Sequence, residues 1–225
     1  MSSHDLQEPL RKIQTFSDLI IKGEAANLSS KGLNYFERMR KSAERMQNLI
    51  DDLLAYSRTS SPDKTLECIS LEQLMQEIKE EIAEELLQQD ARVEILHSEN
   101  LSIINYQFRQ LLYNLISNSL KFKKADTPPV ITISASLFNG RIAGMNPELR
   151  YQALSFEDNG IGFDQKHAGK IFEVFQRLHT KDTYEGTGIG LSIVKKIVDN
   201  HEGLITAEST PGLGAKFTIY LPVRP

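Results

Sequence analysis

The fold is decided by the stretch Phe156–Phe163, which has the sequence FEDNGIGF. The apolar run that begins at Tyr151 predicts a β-strand, and this strand delivers one carboxylate, Asp158. Gly160 and Gly162 follow at once, and glycine allows a sharp turn and the close approach of a flat ligand. A carboxylate held at a strand end can accept a hydrogen bond from an exocyclic amine, such as that of adenine. The alternative is a surface turn with a solvated Asp158.

A second glycine cluster lies downstream at Gly186–Leu191, with the sequence GTGIGL. It leads directly into a helical pattern of apolar residues between Ile193 and Val198. The first N–H groups of a helix are unpaired and the helix dipole is positive there, so glycines that open a helix suit a phosphate group. The cluster does not follow a strand, as a dinucleotide-binding motif would.

A third candidate segment lies upstream, where Asn114, Asn118 and Lys121 are spaced at i, i+4 and i+7. This spacing places two amides and one amine on the same helix face. The opposite face is apolar, so the polar groups in register predict a site for magnesium and phosphate. The alternative is an ordinary amphipathic helix.

Composition excludes several classes of protein. The chain has 225 residues, 40% hydrophobic and 25% charged, which is ordinary for a globular protein. Its net charge of −4 gives no electrostatic reason to expect binding to nucleic acid or to an anionic membrane. Cys68 is the only cysteine, so an intrachain disulfide is impossible. We find no signal peptide and no apolar run near the roughly 20 residues of a membrane span, and expect no direct membrane contact from this segment.

The N-terminal part predicts a helical hairpin. Apolar residues repeat at three and four from residue 2 to about 23, with Pro9 as an expected kink or irregularity. The helix starts abruptly, as expected for a piece of a longer protein. A second helix, Leu33–Arg58, carries a heptad seam that includes Met39, Met46 and Leu53. Two such hairpins would bury this stripe as a four-helix bundle, so we expect a homodimer; the alternative is that the hairpin packs on its own downstream domain.

A linker at 59–64 separates the hairpin from a region with mixed α and β patterns. We therefore predict two domains, 1–60 and 61–225. In the second domain the patterns predict strands at 66–70, 92–96, 130–139, 150–157, 204–208 and 215–221, and helices at 71–87, 106–123, 168–177 and 187–200.

Taken together, these segments resemble the catalytic core of the sensor histidine kinases of two-component systems, over nearly the whole chain. Ser3–Leu10 is similar to the H box of that family, Asn114–Phe122 to the N box and Asp158–Gly162 to the G1 box. Three more segments follow in the family's order: Ile171–Leu178 is similar to the F box, Gly186–Leu191 to the G2 box, and Gly212–Phe217 to the third glycine box. The H box and the short segment after Arg177 resemble the phytochrome-like subgroup.

The resemblance implies an α+β fold, in which the hairpin forms a dimeric four-helix bundle and a Bergerat-type α/β sandwich with a mixed sheet follows. It implies ATP and Mg²⁺ as cofactors. Asp158 would accept a hydrogen bond from the adenine amine, and Asn118 would ligate the metal. Asn114 and Lys121 would lie near the phosphates, and Gly188 and Gly190 would hinge a lid. The nucleotide-binding residues implied by the motifs are Asn114, Asn118, Lys121, Asp158, Gly160, Gly162, Phe172, Arg177, Gly186, Thr187, Gly188, Gly190 and Leu191.

The resemblance also implies the reaction. His4 would take the γ-phosphoryl group of ATP, and Asp5 would be the general base. The phosphoryl group would pass to an aspartate in the receiver domain of a response regulator. We expect a cytoplasmic location, with a full-length parent that is either soluble or membrane-anchored. The other four histidines have no metal-ligand spacing, and we assign them no chemistry.

Two other functions remain open at this point. One is a different ATPase of the same superfamily, such as a gyrase-like, mismatch-repair or chaperone protein. The other is a non-catalytic dimeric scaffold that binds nucleotide or nothing. A hairpin with His4 argues against the first, and the intact Asp158, Asn118 and glycines argue against the second.

Overall fold

The computed structural model describes residues 3–59, 65–138, 140, 144–178 and 186–223. The N-terminal helices α1 (Ser3–Gly23) and α2 (Ser30–Arg58) form the predicted hairpin, joined by a short 3₁₀ turn at Ala25–Asn27. Helix α1 continues through Pro9. Helix α2 begins three residues earlier than predicted because the Ser29 side chain caps it, accepting a hydrogen bond from the Gly32 backbone N–H at 3.1 Å.

The two helices bury few side chains against each other. Leu10, Ser17 and Ala43 are buried, whereas large apolar residues on both helices remain exposed. The exposed set is Ile13, Phe16, Leu19, Tyr35, Met39, Met46 and Leu53. Met39, Met46 and Leu53 of the predicted heptad seam are therefore left uncovered by the single chain.

The second region is a five-stranded mixed sheet with helices packed on it. Its elements in chain order are β1 (Glu67–Ser70), α3 (Leu71–Glu81), α4 (Ala83–Gln88), β2 (Arg92–His97), β3 (Asn100–Ile103), α5 (Asn105–Lys121), β4 (Val130–Phe138), β5 (Tyr151–Asp158), α6 (Gly190–Asn200), β6 (Leu204–Thr210) and β7 (Gly214–Pro222). The main sheet has the order β2-β4-β5-β7-β6, in which only the β2–β4 pair is parallel. The mixed sheet that the family resemblance implies is thus confirmed.

The core lies between this sheet and helices α3, α5 and α6. Alternate residues of β4, such as Ile131, Ile133 and Ala135, are fully buried, and they meet buried residues of the helices, among them Phe108 and Ile193. This alternation follows from the period of two along a strand. Because β5 and β7 pair antiparallel in the middle of the sheet, Asp158 at the end of β5 lies opposite Ala215 near the start of β7.

Three predicted elements differ from the structure, and one strand was not predicted. The helix predicted at 71–87 is divided at Ile82, whose backbone leaves the helical region, and the strand Asn100–Ile103 was not predicted. The segment 168–177 is not a helix: a 3₁₀ turn at Gln165–His167 is followed by turns, and Phe175 has a φ of +65°. Helix α6 begins at Gly190 rather than at 187, since Gly186 and Gly188 have positive φ angles.

The end of α2 is docked on the α/β region. The backbone oxygen of Thr59 accepts hydrogen bonds from Asn200 Nδ2 at 2.6 Å and from Gln107 Nε2 at 3.4 Å, and Asn200 Nδ2 also donates to Gln107 Oε1 at 3.1 Å. Thr59 and Gln107 are buried, and Leu49 and Tyr56 of α2 pack on the core. We call Thr59, Gln107 and Asn200 the Thr59 cluster. Within the described ranges, we find no helix with the length and hydropathy that a membrane span requires.

Candidate functional site

A cavity of about 480 Å³ lies between the α/β region and helix α2. Its volume falls in the range of roughly 300–1,000 Å³ that is usual for small-molecule sites. Most of the predicted binding residues line it: Asn114, Asn118, Lys121, Asp158, Gly162, Arg177, Gly186, Thr187, Gly188, Gly190 and Leu191. Residues up to 77 positions apart in the sequence, from Asn114 to Leu191, therefore meet around one space.

Asp158 is held in a fixed orientation at one end of this cavity. Its Oδ1 accepts hydrogen bonds from the backbone N–H groups of Gly160 at 2.8 Å and Ala215 at 3.3 Å, and its Oδ2 accepts one from the Ser119 hydroxyl at 3.2 Å. Burial raises the pKa of Asp158, and these three hydrogen bonds oppose that shift. The Oδ2 atom keeps a free lone pair for a ligand donor, because a carboxylate oxygen can accept two hydrogen bonds.

The polar end of the cavity is formed by α5 together with the start of α6. A methyl group placed on Gly190 would lie 3.4 Å from Asn114 Oδ1 and 3.9 Å from Asn118 Nδ2, so the N-terminus of α6 faces both amides. Asn114 Nδ2 is buried, and no hydrogen-bond partner for it exists among the described residues. A buried donor without a partner is costly, so this nitrogen fits a ligand acceptor such as a phosphate oxygen.

The glycine loop before α6 is shaped by backbone conformations that favour glycine. Gly188 has a φ of +78°, and a methyl group there would lie 2.8 Å from the Gln176 backbone oxygen. The loop therefore passes close to the segment that carries Arg177. Lys121 Nζ lies so near Gly186 that a side chain at that position would collide with it.

Two predicted residues support the wall of the cavity without forming it. Gly160 contributes its N–H to Asp158, as described above. The Phe172 ring packs edge-on against Phe217, which does line the cavity, with ring centroids 6.4 Å apart. His4 and Asp5 belong to α1, but their side chains lie outside what the structure describes. The same holds for residues 179–185 of the short lid that was predicted from Arg177 to Gly186.

Sequence reasoning missed the contribution of helix α2. Asn48, Asp51 and Asp52 line the cavity, and the Thr187 hydroxyl donates a short hydrogen bond to Asp52 Oδ2. Burial raises the pKa of Asp52, and the hydrogen bond from Thr187 opposes this shift. No pattern in the sequence distinguishes these residues from a solvated helix face, because their position depends on how α2 docks on the α/β region.

Other lining residues were missed as well: Tyr113, Ser117, Phe122, Phe163, Ile171, Gln176, Leu178, Ala215 and Phe217. Ser119 was also missed, although it neighbours Asn118 in the sequence. Ala215 acts through its backbone N–H, which any residue other than proline supplies, so its side chain carried no signal.

The donor set fits a nucleotide with magnesium. An acceptor at the apolar end suits an adenine amine, and amide, hydroxyl and ammonium groups at the other end suit a triphosphate. Among the described residues, no group of three or more His, Cys, Asp or Glu side chains is placed to hold a metal ion. Mg²⁺ favours oxygen ligands and commonly binds with few protein ligands beside phosphate oxygens, so the amide of Asn118 together with a triphosphate fits this metal.

Comparison with protein families gives two matches. Residues 105–225 match the family described as "Histidine kinase-, DNA gyrase B-, and HSP90-like ATPase". Residues 1–62 match the "His Kinase A (phospho-acceptor) domain". The first match covers the elements from α5 onward that surround the cavity, and the second covers the hairpin.

Two curated relatives cover nearly the whole chain. It is 30% identical over 223 residues to the phytochrome-like protein Cph1 of Synechocystis sp., a match that spans 99% of this chain and 28% of the relative. It is 28% identical over 234 residues to the circadian input-output histidine kinase CikA of Synechococcus elongatus, spanning 98% of this chain and 29% of that protein. The chain thus spans less than a third of the length of these relatives.

Solved structures share the fold. The full-length ShkA structure in complex with AMPPNP has a TM-score of 0.64 at 22% identity, covering 98% of this chain and 44% of that one. The histidine kinase AdeS of Acinetobacter baumannii has a TM-score of 0.63 at 18% identity, covering 99% and 98%.

Proposed function

Because this chain belongs to the sensor histidine kinases, we propose that it transfers the γ-phosphoryl group of ATP to its own His4 and then to an aspartate of a response regulator. The observation that carries the proposal is the cavity with two chemically different ends. Asp158 presents an acceptor at one end, and the buried Asn114 donor lies at the other. Helix α1, which carries His4, packs on helix α2, and α2 forms part of the wall of the same cavity.

The residues of the chain have separate tasks in this reaction. Asp158 Oδ2 accepts the adenine amine, and its three hydrogen bonds fix it before the ligand arrives. Asn114, Lys121 and the first N–H groups of α6 bind the phosphates, since the N-terminus of a helix attracts anions. Asn118 would hold Mg²⁺, which would neutralise charge on the triphosphate.

The transfer step needs a neutral imidazole at His4. A ring nitrogen forms a bond to the γ-phosphorus while the bond to the bridging oxygen breaks and ADP leaves. Asp5 accepts the proton from the other ring nitrogen. An unperturbed imidazole has a pKa near 6.5, so much of it is neutral at pH 7. The same nitrogen–phosphorus bond later breaks when the aspartate of the regulator attacks.

We propose a homodimer through the hairpin. Met39, Met46 and Leu53 are spaced by seven residues on α2 and are 51%, 46% and 54% exposed. With Ile13 and Phe16 of α1 they form an apolar stripe that the single chain leaves open, and a second hairpin would bury it as a four-helix bundle. Cytoplasmic ATP and a cytoplasmic regulator imply a cytoplasmic location for this part of the protein.

Introducing a charge in this seam should weaken the dimer. We expect Met46→Glu to raise the dimer dissociation constant at least 100-fold, because an unpaired charge buried in an interface costs roughly 3–5 kcal/mol. Asn34→Glu adds the same charge on an exposed face of α2 away from the seam and should leave the mass unchanged. Light scattering over a range of concentrations measures both, and equal masses for both variants at every concentration would contradict the bundle.

The chemical nature of the phosphorylated product separates the three candidate functions. Incubation with ATP labelled in the γ-phosphate should place label on the protein, and the label should be lost in acid and kept in base, as for phosphohistidine. Release of labelled phosphate without labelled protein would instead indicate another ATPase of the superfamily. Neither label nor release would indicate a scaffold.

A further inference from the structure

The cavity is not built by the α/β region alone. Asn48, Asp51 and Asp52 of α2 belong to the same chain as the glycine loop and form part of its wall. The hydrogen bond from Thr187 to Asp52 joins this helix directly to the loop that precedes α6. Helix α2 is therefore a side of the nucleotide site.

Asp51 connects this wall to helix α1. Its Oδ1 accepts hydrogen bonds from Gln7 Nε2 at 2.7 Å and from Gln47 Nε2 at 3.1 Å. Gln7 follows His4 by three residues in α1, and three residues of α-helix rise about 4.5 Å. The cavity wall is thus one hydrogen bond and one helical turn away from the position of His4 in the same chain.

The position of α2 against the cavity is fixed by contacts at the C-terminal end of this helix. The Thr59 cluster fixes the end of α2 on α5 and α6 of its own chain, with the Thr59 oxygen accepting from two buried or partly buried amides. The exposed apolar stripe lies elsewhere on α2: at 100° per residue, Asp51 and Asp52 are roughly 100–160° around the helix from Leu53. A second hairpin on the stripe would therefore approach α2 from a different side than the one on which Asp51 lines the cavity and contacts Gln7 of its own chain.

From these contacts we propose that phosphoryl transfer to His4 takes place within one chain, and that Asp51 is a positioning residue that aligns α1 with the cavity through Gln7. The inference rests on the proposed function, because it presumes that His4 is the acceptor. It concerns which of two chemically identical histidines in a dimer receives the phosphoryl group. The wall that Asp51 provides belongs to the same chain as Gln7, and this contact selects the histidine of that chain.

Mixed dimers test the direction of transfer. The two chains carry different tags, are co-expressed and are purified on both tags in succession. In the first pair, one chain carries His4→Gln and the other Asp158→Asn. In the second pair, a wild-type chain is combined with a chain that carries both substitutions. Labelled ATP is supplied below the dissociation constant of the parent, where the Asp158→Asn site stays almost empty. Transfer within a chain then predicts at most a trace of label in the first pair and strong label on the wild-type chain of the second.

Label on the Asp158→Asn chain of the first pair, with none in the second, would overturn the inference and leave the proposed function intact. A wild-type homodimer that takes no label at all would overturn both. The two outcomes therefore distinguish failure of the proposal that transfer occurs within one chain from failure of the proposed kinase activity.

The role of Asp51 is tested by steady-state kinetics. We expect Asp51→Ala to lower the kcat of autophosphorylation at least tenfold while the KM for ATP changes less than threefold, since α1 loses its alignment but the adenine site is intact. Asp51→Asn keeps an acceptor for Gln7 and should restore most of kcat. A loss that appears in KM, or an equal loss in both variants, would contradict the positioning role.

Discussion

Replacing Asp158 with Asn is expected to raise the dissociation constant for ATP about 10- to 150-fold and at the same time to make the free protein more stable. The loss of affinity corresponds to one hydrogen bond between a charged acceptor and the ligand, worth roughly 1.5–3 kcal/mol. The two effects have opposite signs because the carboxylate strengthens ATP binding, whereas its burial without a ligand lowers the stability of the free protein.

The opposite signs follow from the hydrogen bonds around Asp158. In the variant the amide oxygen can still accept from the N–H groups of Gly160 and Ala215, and the amide nitrogen can donate to Ser119 Oγ, which donates in turn to the Leu115 backbone oxygen. The fold keeps all its hydrogen bonds. The amide nitrogen, however, directs its second hydrogen at the position of the adenine amine. Both groups are hydrogen-bond donors, so the hydrogen bond to adenine is lost.

The effect on stability depends on pH in a defined direction. Burial raises the pKa of Asp158, so the folded protein binds this proton more tightly than the unfolded chain does. The contribution of this group to stability is therefore present below an unfolded pKa of about 3.9 and is lost as the pH rises through the raised value. At pH 7 we expect the Tm of Asp158→Asn to exceed that of the parent by roughly 2–4 °C, or about 1 kcal/mol, and the difference to vanish in acid.

Glu157→Gln is the matched control for this experiment. It makes the same change of charge one residue away, where the side chain is exposed and lies 3.9 Å from Lys216. Alternate residues of a strand face opposite sides, so the control should alter neither ATP affinity nor Tm appreciably. Calorimetry with ATP and thermal unfolding of both variants measure the two effects. Unchanged affinity in Asp158→Asn would remove Asp158 from the adenine site.

Among the described glycines, Gly214→Ala is expected to cause the largest loss of stability. Gly214 has a φ of +103°, and its added Cβ would collide with the backbone oxygen of Asp158. The strained backbone and the overpacking together cost about 3–5 kcal/mol, which lowers Tm by roughly 10 °C. Relief of the collision must move the end of β5, so ATP affinity should fall as well.

Substitutions at two other glycines distinguish the cost of backbone strain from the cost of the steric collision. Gly212 also has a positive φ, +81°, but no atom lies within 4 Å of the added methyl group, so Gly212→Ala should cost only about 1–2 kcal/mol. Gly169 has neither a positive φ nor a close neighbour, and Gly169→Ala should change stability by less than about 0.5 kcal/mol. Thermal unfolding ranks the three variants. Equal losses in Gly212→Ala and Gly214→Ala would show that the collision with Asp158 is not what matters.

The parts of the site that could be predicted from the sequence are those with local patterns. The alternating strand that ends at Asp158 and the helical spacing of Asn114, Asn118 and Lys121 depend on periods of two and 3.6 residues, and these are independent of the rest of the fold. The start of α6 was placed only three residues too early, because the pattern shows the glycines but not which of them leaves the helical region.

The parts that could not be predicted depend on tertiary packing. Strand β3 has four residues and is defined by pairing with β1, whose paired residues lie 30 to 36 positions earlier in the sequence. The apolar residues between 168 and 177 resemble a helix, but Ile171 and Phe172 are there because they pack around the cavity and against Phe217. Asp51 and Asp52 become part of the site only when α2 docks, and no local period encodes docking.

The phosphorylated residue itself is the most direct test of the account. After incubation with MgATP, the protein should be digested at neutral or alkaline pH, and the peptides should be mapped by mass spectrometry under conditions that preserve phosphohistidine. The account predicts one phosphoryl group on the peptide that contains His4, absent from His4→Gln, whose ATP affinity should stay within twofold of the parent. A phosphoryl group on any other residue, or full labelling of His4→Gln, would contradict it.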